Sequence, residues 1–124
     1  MRDISNLSLL IVEDNEILRD IYRKALILYG FKNFIFAEDG EKAIQIYNDL
    51  EAKPELILMD YQMPIKNGME ATKEIMQINK NQKIIFISGD FSVKDCALKN
   101  GAFAFKDKPI SIKEFYELIK SCTD

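Results

Sequence analysis

The sequence contains no histidine, and this absence excludes every mechanism that depends on an imidazole side chain. A Ser-His-Asp triad, a Cys-His dyad and a histidine-rich metal site are all impossible in this chain. Any chemistry that the chain performs must therefore use carboxylates, hydroxyl groups and lysine.

Cysteines and long apolar runs are also scarce. The two cysteines, Cys96 and Cys122, form no CxxC pair, so they lack the spacing of a thiolate metal site. Two free thiols fit a protein of the reducing cytoplasm. The apolar run near the amino terminus is too short for a signal peptide or a membrane span. With a net charge of −3, the lysines form no basic stripe that would bind nucleic acid. We therefore expect a cytoplasmic protein that contacts neither membranes nor nucleic acid directly.

What the sequence does contain is a regular alternation of short apolar runs and longer amphipathic stretches. A length of 124 residues, 48% of them hydrophobic, favours one domain, and we expect residues 1–124 to form it. Strands are predicted at residues 8–13, 33–37, 55–59, 83–88 and 102–106. Helices are predicted at about residues 17–28, 40–50, 69–79, 92–100 and 111–122. The chain contains no linker, low-complexity segment or internal repeat.

The composition of the strands predicts the architecture. The runs LLIV, LILM and KIIFI lack the polar-apolar alternation of half-exposed strands, so they are expected to be buried on both faces. This favours a parallel sheet with helices on each side. Right-handed crossovers leave few topologies, and the flavodoxin-like (βα)5 three-layer sandwich, with strand order 2-1-3-4-5, is the leading one.

Local signals predict the faces and ends of several helices. The apolar stripe of the first helix is predicted to contain Ile17, Leu18, Ile21, Tyr22, Ala25 and Leu28. The inner stripe of the last helix is predicted to contain Ile112, Phe115, Ile119 and Cys122. Gly30 is expected to follow the end of the first helix. Ser92 and Ser111 each begin a segment that resembles a capping box.

Residues that could take part in chemistry follow four of the predicted strands. They are Glu13 and Asp14 after strand 1, Asp60 after strand 3, Ser88 and Gly89 after strand 4, and Lys108 after strand 5. In open α/β sheets, ligands bind outside the carboxyl ends of the strands, where the strand order reverses. Each residue also has a structural interpretation, in which Asp14 caps the first helix and Lys108 is a solvated surface lysine. Their joint occurrence at four strand ends favours a functional site.

The residue types at these strand ends suggest a particular chemistry. Three carboxylates within a few ångströms repel one another unless a cation joins them, and oxygen ligands suit Mg²⁺ or Mn²⁺. With the metal in place, one carboxylate can attack the phosphorus of an incoming phosphoryl group and form an acyl phosphate. Lys108 would supply a second positive charge and Ser88 a hydroxyl donor, while Gly89 would keep side-chain bulk away. The pattern predicts metal-dependent phosphoryl transfer.

Four motifs make this pattern more specific. They are IVEDN at strand 1, LILMDYQMPIKNG at strand 3, IFISGD at strand 4 and GAFAFKDKP at strand 5. With them, the chain resembles the receiver domain of bacterial and archaeal two-component response regulators, over residues 5–121. The resemblance implies a phosphoprotein of the single-domain, chemotaxis type that acts in phosphorelay signal transduction.

The resemblance also implies roles for the acidic residues. Asp60 would be the phosphoacceptor. Glu13 and Asp14 would hold Mg²⁺ together with Asp60 and the main-chain carbonyl of Gln62. The first acid of the pair is Glu rather than Asp, which is a common variant in this family.

Further roles follow from the resemblance at strands 4 and 5. Ser88 matches the Ser/Thr position of the family, and Phe105 matches its aromatic switch. Lys108 matches its lysine, and Pro109 matches the proline that follows that lysine in a cis peptide bond. Lys106 competes for the lysine role, but the position after the strand and the neighbouring Pro109 favour Lys108.

The implied partners are other proteins. By the resemblance, the donor would be a phosphohistidine on a sensor histidine kinase or a phosphotransfer protein, since this chain has no histidine of its own. The chain would catalyse its own phosphorylation and dephosphorylation without being a conventional enzyme. Its output would be an effector protein, or its own dimer, contacted through strand 5 and the last helix. No helix-turn-helix follows Ser121, so a stand-alone receiver and a part of a longer protein both remain open.

Two other functions fit the same topology less well. A metal-dependent aspartyl-phosphate hydrolase typically has a second Asp two residues after its nucleophile, and this chain has Gln62 there. A flavin-binding module requires a phosphate-binding loop after strand 1, and the acids Glu13, Asp14 and Glu16 would repel a phosphate at that position.

Overall fold

The computed structural model describes residues 3–123, and within that range strands and helices alternate as predicted. The strands are β1 (Ser8–Val12), β2 (Asn33–Ala37), β3 (Leu56–Asp60), β4 (Lys83–Ser88) and β5 (Ala104–Asp107). The α-helices are α1 (Glu16–Leu28), α2 (Gly40–Asp49), α3 (Gly68–Ile78), α4 (Lys94–Lys99) and α5 (Ile112–Ser121). Short 3₁₀ turns lie at Ile4–Asn6 and Phe91–Val93. None of these helices is long and apolar enough to cross a membrane.

All the strands lie in one parallel sheet of order β2-β1-β3-β4-β5, which confirms the flavodoxin-like topology. Strands β1, β3 and β4 are buried on both faces because their sequences are almost wholly apolar. Helices α1 and α5 pack on one face of the sheet, and α2, α3 and α4 pack on the other. The order reverses between β1 and β3, so the carboxyl ends of these strands flank a crevice.

The apolar stripe predicted for α1 is partly wrong. Ile17 and Leu28 are 73% and 71% exposed, and Ile21 is exposed as well. Helix α1 has more large apolar residues than its packed face can cover, so spacing alone did not identify the buried set. The buried residues of α1 are Tyr22, Ala25 and Leu26.

The predicted capping box at the start of α4 is wrong. Val93 precedes the first helical residue and makes no side-chain capping bond. The backbone N–H and the hydroxyl of Ser92 donate to the Asp90 carboxylate and so stabilise the preceding 3₁₀ turn. A capping box uses Glu or Gln to reach back to the start of the helix. This chain has the shorter Asp95 at that position.

Other helix ends agree with the sequence. Gly30 follows α1 with a φ of 84°, a left-handed conformation that glycine adopts without strain. The capping box at the start of α5 is confirmed, because Ser111 and Glu114 exchange side-chain-to-backbone hydrogen bonds. Ile112 is exposed, so the inner stripe of α5 begins at Phe115 rather than one turn earlier.

Strand β5 begins two residues later than predicted. The N–H of Ala102 donates to the carbonyl of Ala97 at 3.0 Å, so Ala102 lies in the turn that follows α4 and is bonded back to that helix. The strand also ends one residue later, at Asp107, so Lys106 lies inside it and Lys108 follows it directly.

Candidate functional site

Three carboxylates meet at the carboxyl edge of the sheet. Glu13 follows β1 directly, Asp14 comes next, and Asp60 is the last residue of β3. Each offers an oxygen atom, and these atoms lie within 4.8 Å of one another. Glu13 and Asp60 are only 1% and 7% exposed, whereas Asp14 faces solvent. The cluster therefore has two buried members and one open to an arriving ligand.

Lys108 holds the two buried acids together. Its Nζ donates to Glu13 Oε1 and to Asp60 Oδ1, each at 2.9 Å. The backbone N–H of Lys108 donates to the carbonyl of Ser88 at 3.0 Å, which fixes the loop after β5 against the end of β4. Lys106 points elsewhere and pairs with Glu114 at 3.2 Å. The geometry therefore brings Lys108, and not Lys106, to the acids.

Burial and hydrogen bonding shift the pKa values of Glu13 and Lys108. Burial raises the pKa of Glu13 to about 7, with the charge of Asp60 acting in the same direction and the hydrogen bond from Lys108 opposing it. Burial lowers the pKa of Lys108, but the bonds to Glu13 and Asp60 outweigh that effect, and the net pKa is raised. Lys108 is therefore a stable cation, whereas an ionised Glu13 is costly until positive charge reaches it.

A cleft of about 570 Å³ opens above the acids. Its lining residues are Glu13, Asp14, Asn15, Leu18, Asp60, Gln62, Ser88, Gly89, Asp90 and Lys108. The hydroxyl of Ser88 is buried and accepts a hydrogen bond from the N–H of Asp90 at 2.9 Å. Gly89 is exposed, and a methyl group there would meet no atom within 4 Å.

Hydrogen bonds fix the end of β3 and the loop that follows Asp60. Asp60 Oδ1 accepts from the N–H of Tyr61 at 2.9 Å, and the N–H of Gly68 donates to the carbonyl of Tyr61 at 2.8 Å. Helix α3 then begins with a capping box between Asn67 and Glu70. The loop after β3 is thus anchored at both ends, and the carboxylate of Asp60 has a fixed position in the cleft.

Two aromatic rings contact Phe105 of β5. Phe105 is half-buried and stacks on Phe86, with ring centroids 6.2 Å apart and an angle of 17° between the planes. Its other neighbour is Phe91, whose ring lies edge-on with a centroid distance of 6.0 Å. The peptide bond between Lys108 and Pro109 is cis. Neither Phe105 nor Pro109 lines the cleft.

The acidic cluster fits a hard divalent cation. All of its side-chain donors are carboxylate oxygens, which Mg²⁺ prefers, and their spacing allows one ion to contact all three. Gln62 also lines the cleft, as a ligand through its main-chain carbonyl requires. Glu13 would gain from such a cation, since its burial raises its pKa.

The alternative role of Asp14 as a helix cap is wrong. Asn15 is the residue before α1, and its side chain accepts from the N–H of Leu18 at 3.0 Å. Asp14 is therefore available to a ligand. The sequence groups the three acids correctly, but it does not show that Asn15 rather than Asp14 caps α1.

We expect Asp14→Ala to raise the melting temperature of the metal-free protein and to weaken Mg²⁺ binding. Removing one of three clustered carboxylates relieves repulsion and also deletes a ligand. The matched variant Asn15→Ala should instead lose about 1 kcal/mol of stability, because it removes the helix cap. Thermal melts without metal compare the two. A lower melting temperature for Asp14→Ala would contradict the assignment.

We also expect Mg²⁺ binding to weaken as the pH falls through about 7, because Glu13 must lose its proton to bind metal. The raised pKa has a second consequence for the metal-free fold. Glu13 contributes stability below its ordinary pKa of 4.5 and loses that contribution as the pH rises toward 7. Calorimetric Mg²⁺ titrations on both sides of pH 7 test the first effect. Melts of wild type and Glu13→Gln test the second, and an equal pH dependence in both proteins would contradict it.

Some residues near the site were not singled out from the sequence. Asn15, Leu18 and Asp90 also line the cleft. Asp90 had a detectable signal, since it lies two residues after the end of strand 4. Arg19 donates hydrogen bonds to the carbonyls of Glu13 and Asp14 but had no such signal, because these bonds depend on how α1 is placed.

Comparison with known proteins agrees with this geometry. Residues 9–120 match the response regulator receiver domain. The two-component response regulator ORR41 of Oryza sativa subsp. japonica is 39% identical over 105 residues, covering 82% of this chain and 83% of that protein. The chemotaxis protein CheY of Thermotoga maritima is 35% identical over 112 residues, covering 89% and 92%. A chain of the CheX-CheY-BeF3-Mg+2 complex from Borrelia burgdorferi superposes with a TM-score of 0.86 and 26% identity, covering 93% and 87%.

The chain belongs to the response regulator receiver domain family. It is a CheY-like receiver domain of two-component systems, and its function lies in phosphorelay signalling. The cluster of Glu13, Asp14 and Asp60 fits the phosphoacceptor site of such a domain. Receiver domains take phosphoryl groups from histidine kinases and act on effectors. The hydrolase and flavin-binding alternatives receive no support.

Proposed function

We propose that Asp60 accepts a phosphoryl group from a phosphohistidine on a sensor histidine kinase or a phosphotransfer protein. A carboxylate oxygen of Asp60 attacks the phosphorus, the bond between phosphorus and the imidazole nitrogen breaks, and the imidazole keeps the electron pair. The product is an acyl phosphate on Asp60. The observation that carries this proposal is that Asp60 sits at the end of a buried strand, hydrogen-bonded to Lys108 and beside two further acids.

The same proposal assigns the metal site. Glu13, Asp14, Asp60 and the main-chain carbonyl of Gln62 would hold Mg²⁺, or Mn²⁺ in its place. When bound, the metal would neutralise the charge that the acids and the phosphoryl oxygens bring together. The raised pKa of Glu13 supports this assignment, because the hydrogen bond from Lys108 does not offset the burial of that carboxylate.

Three further residues would bind the phosphoryl group. Lys108 would exchange its bond to Asp60 for one to a phosphoryl oxygen, and so remain paired throughout. The hydroxyl of Ser88 would donate to a second oxygen, and Gly89 would leave space for the group. These residues support autophosphorylation with a small donor and slow hydrolysis of the acyl phosphate by the same site.

We further propose that residues 1–124 form a single receiver domain that works in the cytoplasm and binds no nucleic acid directly. The family match across residues 9–120 and the net charge of −3 support this assignment.

The test of Asp60 is labelling with acetyl phosphate and Mg²⁺, followed by mass measurement of the intact protein. Wild type should gain one phosphoryl group, and Asp60→Asn should gain none, because an amide is a far poorer nucleophile. Asp90→Asn is the matched control, since Asp90 is another acid that lines the cleft. It should label as wild type does. Stoichiometric labelling of Asp60→Asn, or none of Asp90→Asn, would reject Asp60 as the acceptor.

For the output, we propose that phosphorylation changes a face made by β5 and its flanking helices. Ser88 would move to the phosphoryl group, and Phe105 would turn inward to fill the vacated space. The position of Phe105 supports such a movement, since its ring is only partly buried and contacts Phe86 of β4 on one side and Phe91 on another. An effector, or a second copy of the chain, would bind this face.

Ser88→Ala is expected to keep phosphorylation of Asp60 but to uncouple it from the β5 face. Without the hydroxyl, nothing draws the end of β4 toward the phosphoryl group. Beryllofluoride serves as a stable mimic, and the measurement is self-association or effector affinity with and without it. If Ser88→Ala responds to the mimic as fully as wild type, the coupling mechanism is wrong while the acceptor assignment stands.

A further inference from the structure

Arg19, one turn into α1, reaches back over the loop that carries the first two acids. Its Nη1 donates to the carbonyl oxygen of Glu13 at 2.9 Å and to that of Asp14 at 2.8 Å. One guanidinium nitrogen thus binds two successive carbonyl groups. The backbone on either side of both side chains is therefore tied to the helix.

The two acids differ in how they are otherwise held. Glu13 donates its N–H to Ala37 at 3.0 Å, and its carboxylate accepts from the N–H of Asn15 and from Lys108. Asp14 has much less support. Within residues 3–123, its one hydrogen bond is the bond that its carbonyl accepts from Arg19.

We propose that Arg19 is a positioning residue for the metal-binding loop, an inference that rests on the proposed Mg²⁺ site. Before metal binds, repulsion from Glu13 and Asp60 drives the exposed carboxylate of Asp14 outward. The bond from Arg19 opposes that movement at the backbone, so the three carboxylates stay close enough to share one ion. Outer contacts that hold metal ligands in place typically change metal affinity by about 10- to 100-fold.

The charge of Arg19 and its hydrogen bonds should have opposite effects on the affinity for Mg²⁺. A cation near a metal site repels the incoming ion, so removing the charge alone would tighten Mg²⁺ binding. Removing the two hydrogen bonds would release the loop and weaken binding. The direction of the change therefore separates positioning from simple electrostatics, and a purely structural role would change stability without changing affinity.

Arg23 provides a matched control one turn further along α1. Its guanidinium lies 4.9 Å from the centre of the Phe36 ring and pairs with Asp20 at 3.3 Å. It makes no hydrogen bond to the loop after β1 in the described part of the chain. Arg23→Ala therefore removes one positive charge from the same helix without releasing Asp14.

The experiment is a calorimetric Mg²⁺ titration of the full chain, together with metal-free thermal melts. We expect the Kd of Arg19→Ala to be about tenfold higher than that of wild type, and Arg23→Ala to bind as tightly as wild type or slightly tighter. At saturating Mg²⁺, labelling of Arg19→Ala by acetyl phosphate should approach the wild-type rate, because the metal then holds the loop itself.

Arg19→Lys tests the proposal if Arg19→Ala does not fold. A lysine retains the charge but lacks the planar fork of arginine, so we expect its Kd to lie above that of wild type. An Arg19 variant that binds Mg²⁺ as tightly as wild type, or tighter, would overturn the positioning role. A wild-type protein that binds no Mg²⁺ would instead overturn the proposed metal site itself, so the two failures are distinguishable.

Discussion

Replacing Lys108 with alanine should slow labelling of Asp60 by about a hundredfold, the usual cost of removing a donor aimed at developing charge. Lys108 is the cation nearest the acceptor, since its Nζ lies 2.9 Å from Asp60 Oδ1. In the transition state, the same ammonium would stabilise the negative charge on the phosphoryl oxygens. The measurement is the rate of acetyl phosphate labelling at saturating Mg²⁺.

The same substitution should destabilise the metal-free fold by about 3 kcal/mol, because it leaves two buried acids without their shared cation. Glu13 and Asp60 have only 2% and 8% of their side chains exposed, so water replaces that charge poorly. The loss should be greater above about pH 7 than below it, since a protonated Glu13 needs no counter-charge. Denaturant unfolding at two pH values measures both effects.

Lys106→Ala is the control for both measurements. Lys106 is two residues away and pairs with Glu114 near the surface of α5, so neither labelling nor stability should change by much. A Lys108→Ala protein that labels at the wild-type rate would contradict the proposed role of Lys108. A large loss in Lys106→Ala would contradict the assignment of the lysine.

Gly68→Ala is expected to cost about 3 kcal/mol of stability or more, the upper range for overpacking a well-filled interior. A methyl group at Gly68 would lie 1.8 Å from the carbonyl oxygen of Asp60, which is backbone and cannot rotate away. Either the end of β3 or the start of α3 would have to move. Because the displaced residue is the proposed acceptor, labelling should fall as well.

Gly89→Ala is the matched substitution. A methyl group at Gly89 would meet nothing within 4 Å, and the residue is exposed, so stability should stay within about 0.5 kcal/mol of wild type. Urea denaturation of the two variants and wild type gives the comparison. Equal stability of Gly68→Ala and wild type would contradict the close packing of α3 against the end of β3.

The fold was predictable because its strongest signals are independent of tertiary detail. Apolar runs located β1, β3 and β4, and the alternation with helices implied the parallel sheet and its order. The choice of buried face on α1 was less predictable. Ile17 and Leu28 fit the helical spacing as well as Tyr22 does, and only packing against the sheet and α5 decides which are covered.

The site was predictable to the extent that it depends on strand ends. Glu13, Asp60 and Lys108 converge because parallel strands bring their carboxyl ends to one edge. The bonds from Arg19 depend on the tilt of α1 and on a side-chain rotamer, which no spacing in the sequence specifies. The role of Asp90 as the acceptor for Ser92 was missed because Ser92 resembled a helix cap.

The central claim, that Asp60 carries the phosphoryl group, is tested most directly by locating the modification chemically. Protein phosphorylated with acetyl phosphate and Mg²⁺ is treated with borohydride, which reduces an acyl phosphate on aspartate to homoserine, and is then digested for peptide mass spectrometry. We predict homoserine at residue 60, and at no other acid, in the phosphorylated sample alone. Homoserine at Asp14 or Asp90, or an unreduced phosphate on a hydroxyl group such as that of Ser88, would contradict it.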